Sequence, residues 1–273
     1  MIKRLLLDIY LWIGKEKRQL KWYFEFRKIK AQGTNAISIE PLPKGKYLVL
    51  IPHSDDEWIG CSTIIKDPSY DVVLCNMNMP GGDNAKIHAI RRKEMEQIAQ
   101  ISNRKLIICK NESDLGGIIK DEKPTKIVVP YIIDWHEEHL KVMHILAKAL
   151  SVFCKQCDIV MCQITIPISL HNITHANKMN KQMWKNKWLI FRKNYRTQKY
   201  FPWFRISCHE RLNGEMFGCF SAEVFCVLES NKWLKVFNNS KPSVGERQQI
   251  KLNLGSLQLS REWRQKHFND DNK

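Results

Sequence analysis

The chain has 273 residues, of which 44% are hydrophobic, so it can build one large α/β domain or two small ones, and global disorder is excluded. Its 44 basic and 28 acidic residues give a formal net charge of +16. Nearly all of this excess lies in two segments, residues 1–30 with a net charge of +6 and residues 175–211 with +9, so each segment needs its own explanation.

The first cationic segment contains a short apolar stretch of the kind that targeting signals use. The stretch is only about ten residues long and is interrupted by Asp8, so it is too short to span a bilayer. It has no small-residue cleavage site, so it also makes a poor signal peptide. On a helix, one face would carry Leu5, Leu6, Ile9, Trp12 and Ile13. Two interpretations remain open: a basic amphipathic helix in a membrane interface, or a helix packed on the core of its own domain.

From residue 46 onward, short apolar runs alternate with stretches of helical spacing. The apolar runs predict strands at 47–51, 71–78, 105–110, 126–132 and 158–166. Helices are predicted at about 57–66, 84–101 and 136–153. Buried strands that alternate with amphipathic helices indicate an α/β fold with a Rossmann-like, mostly parallel sheet flanked by helices.

Beyond about residue 170 the alternation fades. Residues 175–205 are basic and aromatic, 223–229 predict a late strand, and the tail from Pro242 is polar. We predict a single domain with terminal elaborations. Its parts are a basic amphipathic segment over 1–44, a core domain over 45–230 with a basic aromatic insertion at 175–211, and a C-terminal extension over 231–273.

The nine cysteines favour a reducing compartment. Several lie inside apolar runs and their number is odd, which is typical of free buried thiols rather than of a disulfide framework. Cys154 and Cys157 form a lone CxxC without a second pair, so this motif only weakly indicates a zinc or redox site.

Two polar clusters follow predicted strands. The first is HSDDE at residues 53–57, directly after the first strand, and the second is DWHEEH at 134–139, after the fourth. Ligands bind beyond the carboxyl ends of parallel strands, so both clusters are expected at one edge of the sheet. In the second cluster, Asp134 can cap the following helix, with Glu137 completing a capping-box-like pair.

Together the clusters contain enough groups for a hydrolytic metal site. A catalytic zinc ion takes three protein ligands and keeps one open position, and His53, Asp56 and His139 supply such a set. Asp55 and His136 remain beside it, as a carboxylate that can remove a proton and a histidine that can protonate a leaving group. Taken singly, each cluster also occurs as a helix cap or as surface groups, and HEEH is not the HExxH motif of zincins.

The motifs resemble those of the PIG-L/LmbE-like zinc-dependent N-deacetylases, the N-acetylglucosaminyl deacetylases, whose signatures are HPDDE after a strand and a later HxDH. The resemblance covers roughly residues 45–228 and rests on an ordered set of motifs. The further matches are Pro130, Asp134, His136 and His139 in a P-x3-D-x-H-x-x-H pattern, Gly81 and Gly82 after the second strand, Arg91-x-x-Glu94 on a helix, and Arg211, Gly214 and Ala222 to Phe225.

The resemblance implies a role for each residue of the two clusters. It implies that His53, Asp56 and His139 hold zinc or another divalent metal. Asp55 matches the general base, and His136 matches the histidine that stabilises or protonates the tetrahedral intermediate.

Other residues of these motifs lie further from the chemistry. Arg91 matches a residue lining the substrate pocket, and Asp134 is assigned to substrate binding as well. Ser54 replaces the usual proline, which should alter the rigidity of the loop more than its chemistry. Glu138 replaces the usual Asp at a position not expected to bind the metal. Glu57 has a structural alternative, since an acidic residue near a helix N-terminus is favoured by the helix dipole.

The resemblance also implies the reaction, which is removal of the acetyl group from an N-acetylhexosamine. The two cationic segments favour an anionic or membrane-borne substrate: a glycolipid, or a lipid-linked or cell-surface saccharide intermediate of polysaccharide biosynthesis. We expect a cytoplasmic protein in peripheral contact with the anionic inner face of the cell membrane. The alternatives are a deacetylase of a soluble sugar conjugate and a basic nucleic-acid-binding protein or nuclease. Since nothing resembles a known nucleic-acid module, no nucleic-acid partner is expected.

Overall fold

The computed structural model describes residues 2–33, 36–79, 85–109, 111, 113–153, 157–198 and 201–261, with the side chains of the first helix from residue 16 onward. The strands are β1 (Lys46–Ile51), β2 (Asp71–Asn76), β3 (Lys105–Ile108), β4 (Lys126–Pro130), β5 (Asp158–Cys162), β6 (His175–Met179) and β7 (Ser221–Glu229). The helices are α1 (Ile2–Ala31), α2 (Asp56–Lys66), α3 (Ala85–Ile101), α4 (Asp114–Glu122), α5 (Glu137–Phe153), α6 (Lys181–Asn194), α7 (Trp203–Met216), α8 (Ser230–Ser240) and α9 (Val244–Asn253).

The strands form one seven-stranded sheet in the order β3-β2-β1-β4-β5-β7-β6. Strands β1 to β5 run parallel, whereas β7 lies antiparallel between β5 and β6. The mostly parallel Rossmann-like sheet is therefore confirmed. The strand order reverses between β1 and β4, and a crevice for ligands forms outside the carboxyl ends of the strands at such a point.

The central strands are apolar throughout because both faces of the sheet are covered. In β1, Leu48 and Leu50 point to the face covered by α4, α5 and α8, whereas Tyr47, Val49 and Ile51 point to the face covered by α2, α3 and α6. This burial on both faces explains why the strands appear in the sequence as continuous apolar runs.

The described part of α1 packs on the domain. Trp22 and Phe26 lie against Cys208 and Leu212 of α7 and against Leu257. Other positions of α1 leave large hydrophobic side chains exposed, namely Leu20, Tyr23 and Phe24. The side chains from Leu5 to Ile13, on which the amphipathic interpretation rests, lie outside the described residues. Within the described part of the chain, no helix combines the length and apolarity needed to cross a bilayer.

The basic aromatic segment 175–211 contains a strand and two helices that the sequence did not predict. Three aromatic side chains of this segment, Trp188, Phe191 and Tyr195, are buried between α6 and the sheet. Lys187 is also buried, and its ammonium group donates to Ile59 O (2.7 Å) and to the carboxylates of Glu210 and Glu223. The inner face of α6 is thus part of the core.

The last motif of the family resemblance, which includes Arg211 and Gly214, has a packing role. A Cβ atom at Gly214 of α7 would lie 2.5 Å from the backbone nitrogen of Ser221 in β7, so only glycine allows the two elements to approach this closely. Arg211 lies one turn earlier, with its guanidinium 4.2 Å from the centre of the Phe220 ring. These positions fix α7 against β7.

Seven of the described cysteines, all except Cys157, are free thiols, and six of these are buried. The expectation of free buried thiols is confirmed for them. Cys154 of the CxxC motif and the pair Gly81 and Gly82 lie outside the described residues.

Candidate active site

The two polar clusters meet at the carboxyl ends of β1 and β4. The first forms the turn after β1 and the start of α2, and the second forms the turn after β4 and the start of α5. The ring centre of His53 lies 4.5 Å from that of His136 and 5.3 Å from that of His139. The prediction that the clusters share one edge of the sheet is confirmed.

Three side chains converge at the spacing of metal ligands. Asp56 Oδ2 lies 3.2 Å from His53 Nδ1 and 3.2 Å from His139 Nε2. Atoms bound about 2.0–2.1 Å from a tetrahedral zinc ion lie about 3.3 Å apart, so these separations fit a zinc site. A second set is also close: His53, His136 and His139 each offer a nitrogen, and these nitrogens lie within 4.8 Å of one another.

In each of two histidines, a carboxylate accepts from the ring nitrogen that points away from Asp56. His139 Nδ1 donates to Asp134 Oδ2 (2.8 Å), and His53 Nε2 donates to Glu138 Oε2 (2.5 Å). This pairing orients a histidine ring and leaves the lone pair of the opposite nitrogen for a metal. In both rings the opposite nitrogen is the one that faces Asp56, so the residues present fit zinc.

Asp134 has a different role from the two that the sequence indicated. Helix α5 begins at Glu137, so the predicted cap at Asp134 is wrong. Instead, Asp134 Oδ1 accepts from the backbone nitrogen of His136 (2.9 Å) while Oδ2 holds His139. Its carboxylate is buried and both oxygens have donors, so Asp134 positions the histidines rather than facing a substrate.

The electrostatics of His136 favour its neutral form. Burial, together with the nearby His139 and His53, lowers the pKa of His136 to about 4. Its Nδ1 accepts from the backbone N–H of Glu138 (3.3 Å), so the proton of the neutral ring is on Nε2. His136 can therefore donate a hydrogen bond to a developing negative charge.

Asp55 is a buried carboxyl group beside the candidate metal ligands. Burial and the charge of Asp56 raise its pKa well above the usual range. Its backbone φ is 139°, a conformation that L-residues rarely adopt and that is found mainly at functional sites. The role of Asp55 as general base stays a prediction.

A cleft beside His53 is lined by Arg91 and by a histidine and an arginine that were not predicted as site residues. His88 and Arg92 line it together with Arg91, and all three lie within one turn of α3. Their i, i+3, i+4 spacing is the sequence signal that could have identified them.

Ser54 connects the turn after β1 to α3. Its Oγ donates to the backbone oxygen of Arg91 (2.6 Å), so the serine that replaces the usual proline holds the turn against α3.

Proton competition gives this site a pH dependence. Burial alone would lower the pKa values of both ring ligands, but Asp56 and Glu138 raise that of His53 to about 9, and Asp134 and Asp56 raise that of His139 well above its usual value. A metal must displace these protons. We therefore expect zinc affinity to rise from pH 6 to pH 8 by about tenfold per pH unit for each proton displaced.

Isothermal titration calorimetry in buffers of different ionisation enthalpy measures this proton release directly. In the metal-free protein the folding stability changes in the opposite direction and falls as the pH rises. The stability that the charged His53 contributes is fully present below its unfolded pKa of about 6.5 and is lost as the pH rises through about 9. Zinc binding that releases no protons over this range would contradict the assignment of His53 and His139.

Several solved structures with the same fold are deacetylases. N,N'-diacetylchitobiose deacetylase from Pyrococcus horikoshii aligns with a TM-score of 0.56 and 18% identity over 69% of this chain and 86% of that chain. The zinc-inhibited form of teicoplanin deacetylase Orf2 gives 0.51 and 12% over 67% and 98%. A40926 pseudoaglycone deacetylase Dbv21 gives 0.53 and 10% over 69% and 99%. No protein-family model and no curated protein matches the sequence.

Proposed function

Because the chain has the fold of the LmbE/PIG-L-type deacetylases, we propose that it is a zinc-dependent deacetylase of an N-acetylhexosamine. The observation that carries this proposal is the position of Asp56 Oδ2, 3.2 Å from a ring nitrogen of both His53 and His139. Asp55 and His136 flank this set at the switch point of the sheet, where the fold places ligands.

The chain's own residues divide the work of amide hydrolysis. Zinc, when bound, would polarise the amide carbonyl and lower the pKa of a water molecule. Asp55 accepts a proton from the water that attacks the acetyl carbon and delivers it to the leaving nitrogen, so the products are acetate and a free amine. His136 donates from Nε2 to the oxyanion of the tetrahedral intermediate. Asp134 and Glu138 hold the two ring ligands in place.

The activity is tested with the zinc-loaded full chain and two kinds of substrate. One is an N-acetylglucosaminyl phospholipid and the other a soluble N-acetylglucosamine conjugate. Mass spectrometry should show loss of one acetyl group from the substrate, with release of acetate that stops after chelation of the metal. Failure to release acetate from either substrate, with zinc bound, would overturn the proposal.

We also propose the finer description of the substrate as a glycolipid or lipid-linked saccharide, processed at the inner face of the cell membrane. The outer face of α6 supports it. This face exposes four cations, Lys181, Lys185, Arg192 and Lys193, and the turn after α6 exposes Arg196. No acidic residue occurs between 181 and 198. Leu189, which is 64% exposed, lies among these cations. Cations around an exposed apolar side chain suit an anionic lipid surface.

The surface of α6 is linked to the active-site cleft through α3. A groove of about 520 Å³ separates the two helices, with Lys93, Ile90 and Ile101 on the α3 side and Lys193 and Arg196 on the other. The same helix α3 carries Arg91 into the cleft. A membrane bound along α6 would therefore lie beside the helix that lines the candidate active site.

Charge reversal on α6 tests the membrane contact. We expect Lys181→Glu with Lys185→Glu and Lys193→Glu to weaken binding to vesicles containing phosphatidylserine by at least roughly a hundredfold, since each cation near an anionic surface contributes about 1 kcal/mol. Sedimentation with vesicles measures this. The matched control reverses Lys148, Lys232 and Lys235, which are exposed on α5 and α8 across the sheet. Equal weakening in both triple variants would contradict docking through α6.

A further inference from the structure

The unusual backbone of Asp55 is held by the side chain of Glu57. Glu57 is buried, and its Oε2 accepts from the backbone nitrogen of Asp55 at 3.0 Å. A non-glycine residue keeps a positive φ only where its surroundings enforce it. The hydrogen bond from Asp55 to Glu57 is a contact of this kind.

Glu57 is in turn held by the end of α6. Its Oε1 accepts from the hydroxyl of Tyr195, the buried residue that follows the last turn of this helix. The ring centre of Tyr195 lies 5.1 Å from that of Phe191, and this packing fixes the position of the Tyr195 hydroxyl. One carboxylate therefore connects Tyr195 with the backbone of Asp55.

Two more contacts fix α6 to the same turn of α2. Trp58 Nε1 donates to the backbone oxygen of Lys187 (2.9 Å), and Lys187 Nζ donates to the backbone oxygen of Ile59 (2.7 Å). The proposed hydrolysis uses none of these groups. Their shared effect is to fix the start of α2, where Asp55 lies.

We propose that Glu57 and Tyr195 are positioning residues that hold Asp55 in the geometry needed to accept a proton. This inference rests on the proposed function, because it assigns the two residues to the base of that reaction. The ligands His53, Asp56 and His139 have their own hydrogen bonds, to Glu138, Asp134 and one another. Loss of the Glu57–Tyr195 pair should therefore impair turnover and leave the metal bound.

Glutamine is a conservative replacement for Glu57, because it can keep both hydrogen bonds. In Glu57→Gln the amide oxygen can still accept from the nitrogen of Asp55, and the amide NH2 can donate to the phenolic oxygen of Tyr195. Glu57→Ala removes both hydrogen bonds. Tyr195→Phe removes one and keeps the aromatic packing.

Steady-state kinetics and zinc content of these variants test the proposal. We expect kcat to fall roughly tenfold in Tyr195→Phe, the effect of losing one buried hydrogen bond, with KM and zinc content unchanged. Glu57→Ala should lower kcat roughly 100-fold, as expected for a misplaced catalytic group, and Glu57→Gln should restore most of that loss.

Tyr70→Phe is the matched control. The hydroxyl of Tyr70 donates to the backbone oxygen of Leu42 (2.9 Å) in a buried contact at the opposite edge of the sheet. Its loss should lower the melting temperature as Tyr195→Phe does and leave kcat unchanged. Equal kcat values in the two variants would overturn the proposal, as would loss of zinc from Tyr195→Phe.

Amide hydrogen exchange at Asp55, followed by NMR, gives a readout independent of activity. Exchange should become faster in Tyr195→Phe and Glu57→Ala than in the wild type or in Tyr70→Phe. Unchanged protection would show that the pair does not hold this backbone and would overturn the inference. An inactive wild-type protein with the expected exchange pattern would overturn the proposed function alone.

Discussion

Asp55→Asn is expected to lose most turnover while retaining zinc. The amide has nearly the shape of the carboxylate but cannot accept the proton of the attacking water. General-base catalysis by a positioned side chain contributes roughly 10²–10⁴-fold, so kcat should fall by a factor in this range. Zinc should remain, because Asp55 is outside the set formed by His53, Asp56 and His139. Acetate release and metal content by atomic absorption measure the two effects on the same sample.

A matched aspartate provides the control for this substitution. Asp67 follows α2, pairs with Lys44 at 3.2 Å and is half-buried at the edge of the sheet opposite the site. Asp67→Asn should keep wild-type turnover. If Asp55→Asn has the same kcat as the wild type, Asp55 is not the base. If it loses zinc, Asp55 is a ligand and the donor set must be revised.

His139→Ala is expected to lose both zinc and activity. Loss of a residue that only hydrogen-bonds to a ligand weakens zinc binding roughly 10–100-fold. Loss of the ligand itself should weaken it by more than this. The substitution also leaves the buried carboxylate of Asp134 without the ring it holds at 2.8 Å. Titration against a zinc-competing chelator measures the affinity.

His136→Ala is the matched comparison, since His136 lies one turn away with its ring centre 4.8 Å from that of His139. If Asp56 completes the ligand set, His136→Ala keeps zinc and loses turnover, because its Nε2–H no longer stabilises the oxyanion. Loss of zinc from His136→Ala to the same extent as from His139→Ala would instead assign the metal to the three histidines. The pair of variants thus separates the two donor sets.

The parallel half of the fold was predictable because its signals are local. A strand buried on both faces is a continuous apolar run, as in residues 47–51 and 126–130, and the polar residues after two such runs had to meet at one edge. The positions of His53, His136 and His139 beside one another follow from this rule alone.

The segment 175–211 was misjudged because its role depends on distant partners. A lysine in a basic stretch is usually exposed, yet Lys187 is buried between two carboxylates that come from α7 and β7. The contacts from Ser54 to Arg91 and from Glu57 to Tyr195 are equally remote in sequence. No periodicity within a window of residues indicates such pairs.

The placement of β7 between β5 and β6 gives the site an order of assembly during synthesis. The proposed metal ligands have all been made by residue 139, and the five parallel strands are complete at Cys162. Among the described strands β6 pairs with β7 alone, so it has no partner in the sheet until residues 221–229 have been made. Helix α6 follows β6 directly, and Tyr195 at its end is made well after residue 139. In the growing chain the proposed metal ligands are therefore made first, and the proposed support of the base is made later.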